Sequence, residues 1–297
     1  MRFLIIYSYS YTTFITNITD TNGAESQHSV RDEGALDDNG NNGPGSKQRN
    51  DDDDDVDVDG PRVEARVELS KTPCKYILHH SILRKYTNLH VTVCKVYPED
   101  IEVDQPHFSN LIQKFIYDQQ HLSALPTFFG AITVYPSAVA TFHAPSDLSG
   151  IGGMRRERIR AVKSWRKGPS RYDTIFVNTD PIMDGMKGLD VARVRLFFSF
   201  SHNRIEYPCA LVHWFSRVGD LPDVDTGMWI VKPDISDDGE NFISIVHLDT
   251  VVRACHLIPV FGPQHVSKTL SCTDTLDTFT HFYVNKYVDH HAFEVAF

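Results

Sequence analysis

β-patterned runs of apolar residues recur along the second half of the chain and predict a series of short β-strands. Turn-forming residues such as Ser201-His202-Asn203 and Gly219-Asp220 separate these runs. The runs are 173–178, 192–201, 205–218, 227–233, 242–249 and 255–262, and two more short strands are expected around Pro136. Strands of this length and spacing are typical of an antiparallel sandwich or a small barrel.

Helical periodicity is clearest in residues 104–121, where one stripe of apolar side chains predicts a helix at about 105–121 packed into the core. Asp104 can cap this helix, and Pro106 suits its first turn. The stripe consists of Phe108, Leu111, Ile112, Phe115 and Ile116. A closing helix is also expected within 276–297, and a short strand within 63–69. The fold class is therefore α+β, mainly antiparallel β with flanking helices.

The charge of the chain divides it into parts. The net charge is -10, yet residues 1–60 alone hold thirteen acids and only four bases. Residues 20–62 are rich in Asn, Asp, Gly and Ser and cannot bury enough apolar surface to offset their chain entropy. We expect a disordered acidic tail at 1–62, an α/β lead-in at 63–131 and a mainly β domain at 132–297.

The remaining chain is near neutral but contains a basic segment, which places eight cations in seventeen residues beside one acid, Glu157. These candidate nucleic-acid-binding residues are Arg155, Arg156, Arg158, Arg160, Lys163, Arg166, Lys167 and Arg171. If 154–167 is helical, four of the cations share one face, namely Arg156, Arg160, Lys163 and Lys167. Such a strip attracts phosphates, although a solvated face, or arginines paired with acids, has the same composition.

Aromatic residues of the predicted strands suggest a second kind of site. Tyr207, Trp214 and Trp229, with Phe215 beside them, could line a pocket that holds methylated lysine by cation–π attraction. Side chains of this kind on strands are also ordinary core residues.

Other chemistry is weakly supported by the residues. The five cysteines include no C-x-x-C pair, which argues against a disulfide framework and a zinc ribbon. The best histidine cluster is Asp289-His290-His291 with Glu294, where a helix would stack His290 on Glu294, but no metal or cofactor is predicted. There is no G-x-S-x-G motif and no apolar run long enough to span a membrane. We expect a nuclear or cytoplasmic protein that is not secreted, with no membrane or small-molecule partner.

A set of phrases in one order, from about residue 132 to the last residue, resembles a known family. They read TVYPSAVATFHAPSDLSGIGGMRRERIRAVKSWRKG, RYDTIF, GLDVARVRLFFSF, YPCALVHWFSRVGD, DTGMWIVKPD, IVHLDTVVRACHLIPVFG and YVNKYVDHHAFEVAF. Together they are similar to the C-terminal portion of fungal Plavaka-type transposase-like proteins. The resemblance implies a mobile-element origin, and a fragment without the metal-dependent core that the family carries upstream.

The order of elements in 173–262 also resembles bromo-adjacent-homology domains, which are β-barrel chromatin modules. Three hypotheses therefore stand. The chain is a non-catalytic transposase segment that binds DNA or other transposase segments, a reader of chromatin or other proteins on a barrel of that kind, or a degenerate gene product without function.

Overall fold

Two antiparallel sheets and three helices make up the fold in the computed structural model, which describes residues 65–73, 95–96, 108–144, 153–237, 239–263, 265–271 and 273–297. The strands of these residues are β1 (Ala65–Leu69), β2 (Lys95–Val96), β3 (Ile132–Tyr135), β4 (Ser137–His143), β5 (Met154–Val162), β6 (Arg171–Tyr172), β7 (Thr174–Asn178), β8 (Leu189–His202), β9 (Ile205–Arg217), β10 (Ile230–Pro233), β11 (Ile243–His247), β12 (Val251–Ala254), β13 (Leu257–Pro259) and β14 (Phe282–Val284). The helices are α1 (Phe108–Gln120), α2 (Thr275–Thr278) and α3 (His290–Val295).

The smaller sheet has four strands in the order β1-β4-β5-β6. β4 and β5 pair along their length, from Ser137 opposite Arg160 to His143 opposite Met154. Because opposed residues of an antiparallel pair lie on the same face, the small and apolar side chains of both strands share one face. That inner face carries Ala138, Ala140, Phe142, Ile159 and Ala161.

The larger sheet has ten strands and curls into a half-barrel around the long hairpin of β8 and β9. β7 and β3 pair with one edge of this hairpin, while β10 and β11 pair with the other. The two strands are joined by Asn203 and Arg204, whose φ angles are 52° and 66°. Two successive positive φ angles define a type I′ turn, which matches the twist of the strands.

The main core lies between the two sheets. Phe142 and Ile159 of the smaller sheet pack with Val194, Phe197 and Trp214 of the larger one. The first four of these side chains have no solvent exposure, so burial of apolar surface holds the two layers together.

The other face of the larger sheet is covered in two places. α1 packs across β8 and β9 through edge-to-face aromatic pairs, with Phe108 at 5.2 Å from Phe198 and Phe115 at 6.1 Å from Phe200 between ring centroids. The C-terminal part of the chain covers the second area, where Phe282 packs against Phe215.

The predicted fold class is confirmed, as are the predicted strands of 173–262, the strand pair around Pro136 and the helix α1. The condition of a helix at 154–167 is not met, and the closing helix expected within 276–297 is only partly present. Residues 154–162 form a strand rather than a helix, because their inner positions pack on the other sheet. Residues 276–297 form β14 between two short helices, because Phe282 and Val284 pair with strands of the sheet. The predicted disordered tail at 1–62 lies outside the described residues.

Candidate nucleic-acid interface

The basic segment is a β-hairpin, formed by β5, the loop 163–170 and β6. Strand alternation separates its charges onto two faces. Arg156, Arg158 and Arg160 lie on the outer face of the smaller sheet, whereas Arg155 and Glu157 lie on the inner face. The single acid of the segment is therefore turned away from the outer cations.

The inner pair belongs to a buried cluster. The carboxylate of Glu157 lies 3.5 Å from the guanidinium of Arg253, which is 2% exposed. Burial raises the pKa of Glu157, and Arg155 lies close enough to both Glu157 and Asp289 to favour their charged forms. Arg155 is thus a structural cation rather than a surface one.

Trp165 is enclosed by arginines in the loop of the hairpin. The guanidinium carbons of Arg160, Arg166 and Arg171 lie 5.3, 4.2 and 5.0 Å from the centroid of its ring. Asp173 fixes the base of this arrangement, since its carboxylate accepts hydrogen bonds from Arg171 Nε at 2.8 Å and from the Arg160 backbone N–H at 2.8 Å. Arg160, which is buried, and Arg171 hold the hairpin together.

The tip of the hairpin is a tight turn made of two cations. Gly168 N–H donates to the carbonyl of Trp165 at 2.8 Å, and the central residues Arg166 and Lys167 have φ angles of 51° and 61°. Asn-Gly is the preferred pair for such a type I′ turn, because other residues are strained at positive φ. This turn therefore presents two long cationic side chains at a cost in backbone energy.

The outer face and the loop together are strongly basic. Eight cations stand there beside Glu68 and Asp173, and a third carboxylate of the described residues, Asp249, is close enough to Arg66 to interact with it. The cations are Arg66, Arg156, Arg158, Arg160, Lys163, Arg166, Lys167 and Arg171. We call this surface the basic hairpin face. Its most exposed cations include Arg158, Lys163, Arg166 and Lys167.

The structure does not bring the three predicted pocket aromatics together. Tyr207 packs under α1, Trp214 lies between the two sheets, and Trp229 lies under the C-terminal segment. All three are buried, and the indole of Trp214 donates to Ser244 Oγ at 2.7 Å. They act as core residues of three separate clusters.

The C-terminal histidine cluster is divided between surface and core. His290 pairs with Glu294 at 3.2 Å along α3, as the i, i+4 spacing predicts. His291 points inward instead and stacks on Phe142, with 4.4 Å between ring centroids. Among the residues that the structure describes, no group of three or more His, Cys, Asp or Glu side chains is arranged to hold a metal ion.

Arg253 is the centre of the buried cluster that His291 joins, and sequence reasoning missed it. Its guanidinium forms a two-pronged ion pair with Asp289, with both contacts at 2.7 Å, and lies 3.2 Å from Nδ1 of His291 and 4.4 Å from the Phe142 ring centroid. Asp289 also caps α3 by accepting from Ala292 N–H at 2.7 Å. A lone Arg in a short strand gives no local signal in the sequence, because Glu157 lies nearly a hundred residues before it and Asp289 more than thirty residues after it.

Cys209, His247 and Asp249 have the side-chain types of a catalytic cysteine site. Cys209 lies opposite His247 in the pairing of β9 with β11, and His247 contacts Asp249 at 3.3 Å. However, Cys209 is fully buried, and burial raises the pKa of its thiol well above the usual range. The thiol stays protonated and inaccessible, which is the behaviour of a core cysteine.

A cleft of about 550 Å³ opens where the polar side chains of the larger sheet meet α2. His213 lines it, and a β-bulge at Arg195 interrupts the neighbouring strand. Arg193 is opposite His213 and reaches out to pair with Asp277 of α2, which anchors this wall of the cleft. The sequence gives no signal for this cleft, because its walls come from three separate segments.

None of α1, α2 and α3, the helices of the described residues, combines the length and the apolar character of a membrane-spanning helix. Comparisons of the chain with protein-family models, with curated proteins and with solved structures find no match.

Proposed function

We propose that the chain is a non-catalytic nucleic-acid-contacting module, as expected for the C-terminal portion of a Plavaka-type transposase-like protein. The basic hairpin face is its contact surface. The observation that supports this most is the exposed tip, where Arg166 and Lys167 occupy a strained turn beside Lys163 and Arg158. Departures from local sequence preference are expected at functional sites.

Charge separation strengthens the proposal. The whole chain is acidic, so it does not bind phosphates through its overall charge. The basic hairpin face concentrates cations locally, and its inner acid, Glu157, is engaged with Arg253. Phosphate contacts of such a surface gain free energy mainly from the release of counterions.

Duplex DNA is the form of nucleic acid that this face suits best. Stacking of unpaired bases needs an accessible aromatic face, whereas Trp165 is already contacted by three guanidiniums. Contacts through Arg158, Lys163, Arg166 and Lys167 depend on charge, and charge is denser along a duplex. We therefore propose binding that is largely independent of base sequence, in a nuclear protein.

The alternative reader function gains no support from Tyr207, Trp214 and Trp229, which lie in three different clusters. If other transposase segments or chromatin proteins are partners, they would have to bind a surface other than these three buried aromatic residues.

The test is binding of the full chain to a short labelled DNA duplex, and to one of its single strands, by fluorescence anisotropy between about 50 and 200 mM salt. In the R158Q/K163Q/R166Q/K167Q variant, we expect affinity at the lowest salt to fall about 100-fold, and the slope of log K against log salt to become shallower by roughly 3–4, because each lost phosphate contact removes about 0.9.

A matched control removes four exposed cations elsewhere, at Lys187, Arg204, Lys232 and Lys268. It has the same net charge as the test variant and should retain most of the affinity and slope. Circular dichroism and thermal unfolding establish that each protein is folded. Absence of binding by the folded wild-type chain, or equal losses in both variants, would show that the basic hairpin face is not a nucleic-acid site.

A further variant separates the turn from its charges. Changing the tip to the preferred pair, R166N/K167G, should raise the melting temperature by about 2–4 °C, since it relieves roughly 1 kcal/mol of strain at positive φ. It should also weaken duplex binding and make the salt slope shallower by about 2.

The comparison variant R158Q/K163Q removes two cations without altering the turn. It should weaken binding to a similar degree while leaving the melting temperature within about 1 °C, as surface substitutions usually do. If R166N/K167G lowered the melting temperature, or bound DNA as tightly as the wild type, the tip would be neither strained nor a phosphate contact.

A further inference from the structure

Exposed apolar side chains of the described residues concentrate at one end of the larger sheet. β7 and β9 end there, while β8 and β10 begin there, so the β7–β8 and β9–β10 connections lie side by side. β14 also ends at this point, because Tyr283 lies opposite Ile230 at the start of β10. Three segments, 179–188, 218–229 and 285–297, therefore meet at this end.

Hydrogen bonds tie the three segments into one surface. Tyr287 Oη donates to the Thr226 carbonyl at 2.9 Å, which joins the C-terminal segment to the β9–β10 connection. Arg217 Nη1 donates to the Met186 carbonyl at 2.8 Å, which joins that connection to the β7–β8 loop. Met186 N–H in turn donates to the Phe297 carbonyl at 3.3 Å.

The apolar side chains on this surface are unusually exposed. Val224, Ile182 and Leu221 are 98%, 87% and 76% exposed, and Met183, Tyr287 and Phe293 are about half exposed or more. Their exposed parts, spread over three adjoining segments, amount to roughly 600 Å² of apolar surface, an area comparable with the largest apolar patches of monomeric proteins, which are often functional. With its polar border the area approaches the roughly 800 Å² that one partner contributes to a standard interface.

The border of this surface is acidic. Exposed carboxylates surround the apolar side chains, and in the part of the chain that the structure describes Asp184, Asp220 and Asp225 make no ion pair. Asp180 and Asp223 stand beside them, capping backbone N–H groups of their own loops. Of the cations nearby, Arg217 donates to a backbone carbonyl and Lys286 lies over Tyr287 and Phe293, whereas Lys187 is exposed, so five carboxylates of the described residues stand there beside one exposed cation. We call this surface the acidic apolar end.

Charge complementarity decides between the classes of occupant. In a two-fold dimer through this end, the border carboxylates of both copies would approach each other, and such like-charge contacts are costly. An anionic membrane surface would repel the same carboxylates. A protein segment with apolar side chains flanked by Lys or Arg satisfies both the apolar surface and its border.

We propose that the acidic apolar end is a docking surface for a basic amphipathic segment of another protein. The apolar side chains of that segment cover Ile182, Leu221 and Val224, and its cations face Asp184, Asp220 and Asp225. The basic hairpin precedes β7 in the chain and the acidic apolar end follows it. The five residues of β7 are about 17 Å long, so the two surfaces lie at opposite ends of this strand. Both surfaces can therefore be occupied at once, and this proposal stands or falls independently of nucleic-acid binding.

The test uses three designed helical peptides with the full chain, followed by calorimetry or anisotropy. The first has Leu on one face and Lys on the other, the second replaces Lys with Glu, and the third replaces Leu with Gln. We expect binding of the Leu/Lys peptide alone at micromolar concentration. The Gln/Lys peptide reports attraction to acids anywhere in the chain, including the run 51–55.

Variants locate the binding. The I182S/L221S/V224S protein should bind the Leu/Lys peptide at least roughly 30-fold more weakly, because a few apolar anchors carry most of the affinity of an interface. D184N/D220N/D225N should weaken it about 5-fold at low salt and less at high salt. The matched control L125S/F129S/I205S removes three exposed apolar side chains from other parts of the chain and should bind as the wild type does.

Several results would overturn the proposal. These are equal binding of the Leu/Lys and Gln/Lys peptides, an equal loss in the control variant, or binding of the Glu peptide. Dimerisation of the wild-type chain that I182S/L221S/V224S abolishes would make the surface a self-interface instead. Sedimentation onto phosphatidylserine vesicles that depends on the same three residues would make it a lipid contact.

Discussion

Replacement of Arg253 with Met is expected to lower the free energy of unfolding by about 3–5 kcal/mol, which is the usual effect of breaking a buried ion pair by removing one partner. Arg253 is 2% exposed and neutralises both Asp289 and Glu157. Without it, two carboxylates from different elements remain near each other in the core between the sheets. Urea unfolding at neutral pH, followed by tryptophan fluorescence, measures the change.

The triple variant R253M/E157Q/D289N tests the reason for this loss. It removes the buried charges, while the amide oxygen that D289N introduces remains able to cap α3 in place of the carboxylate. We expect it to recover at least half of the stability lost by R253M, because no carboxylate is then buried without a partner and the remaining cation, Arg155, is only half-buried. A control, K268M on an exposed loop, should change stability by less than about 0.5 kcal/mol. A loss in the triple variant as large as that of R253M would mean that packing of the arginine, rather than charge compensation, dominates.

The layered β architecture could be predicted from sequence because its pattern is local. β8 and β9 are long, largely apolar runs that are buried at most positions, and the turn residues between them interrupt the pattern at the correct place. α1 is equally legible, since Phe108, Ile112 and Phe115 recur at helical spacing and are buried as expected. In each case a single segment contains the whole signal.

The basic segment shows where local reasoning failed. Its cations occur at spacings that suit one helical face and also alternate as a strand requires. The alternation of Glu157 and Ile159 with Arg158 and Arg160 decided the outcome, because the inner positions pack against the second sheet. The partner sheet is far away in sequence, so tertiary packing, which the sequence pattern does not display, selected the strand.

The eight cations of the basic segment 155–171 divide into structural and exposed groups. This division could not be predicted either, because the partners of the structural cations lie elsewhere in the sequence. Arg155 contributes to a cluster centred on Arg253, nearly a hundred residues later, and Asp173 binds Arg171 on one strand of the hairpin and the Arg160 backbone on the other. The acidic apolar end likewise forms from three segments that only the order of strands brings together.

Stability is expected to fall as the pH decreases from about 6.5 to about 4, because His291 resists protonation in the folded state. Burial lowers the pKa of His291 from 6.5 to about 4, and Arg253 contributes to the same decrease. Arg253 donates toward Nδ1 at 3.2 Å, and His143 and His290 add like charge when protonated, while Asp289 acts in the opposite direction. A pKa that is lower in the folded state means that the unfolded chain takes up the proton first. The loss therefore begins near pH 6.5, reaches about 3 kcal/mol near pH 4 and levels off below it.

Urea unfolding of the wild type and of H291Q, from about pH 7 to about pH 4, isolates this contribution. The Gln side chain keeps an oxygen that accepts from Arg253 but does not titrate, so the wild type should approach or fall below H291Q in stability as the pH decreases.

The difference in stability between the wild type and H291Q is the quantity to measure, because Glu157 and Asp289 titrate in the same cluster. Burial raises the pKa of Glu157, so protonation of Glu157 stabilises the folded state and opposes the loss of stability caused by His291. The pKa of Asp289 is raised by burial but lowered more by Arg253 and by the Ala292 N–H. Protonation of Asp289 therefore affects stability only below about pH 4. H213Q serves as a second comparison, since burial also lowers the pKa of His213 in a different part of the sheet. Parallel stability curves for the wild type and H291Q across this range would show that His291 is protonated equally in the folded and unfolded chains, and the buried cluster would not make the fold sensitive to acid.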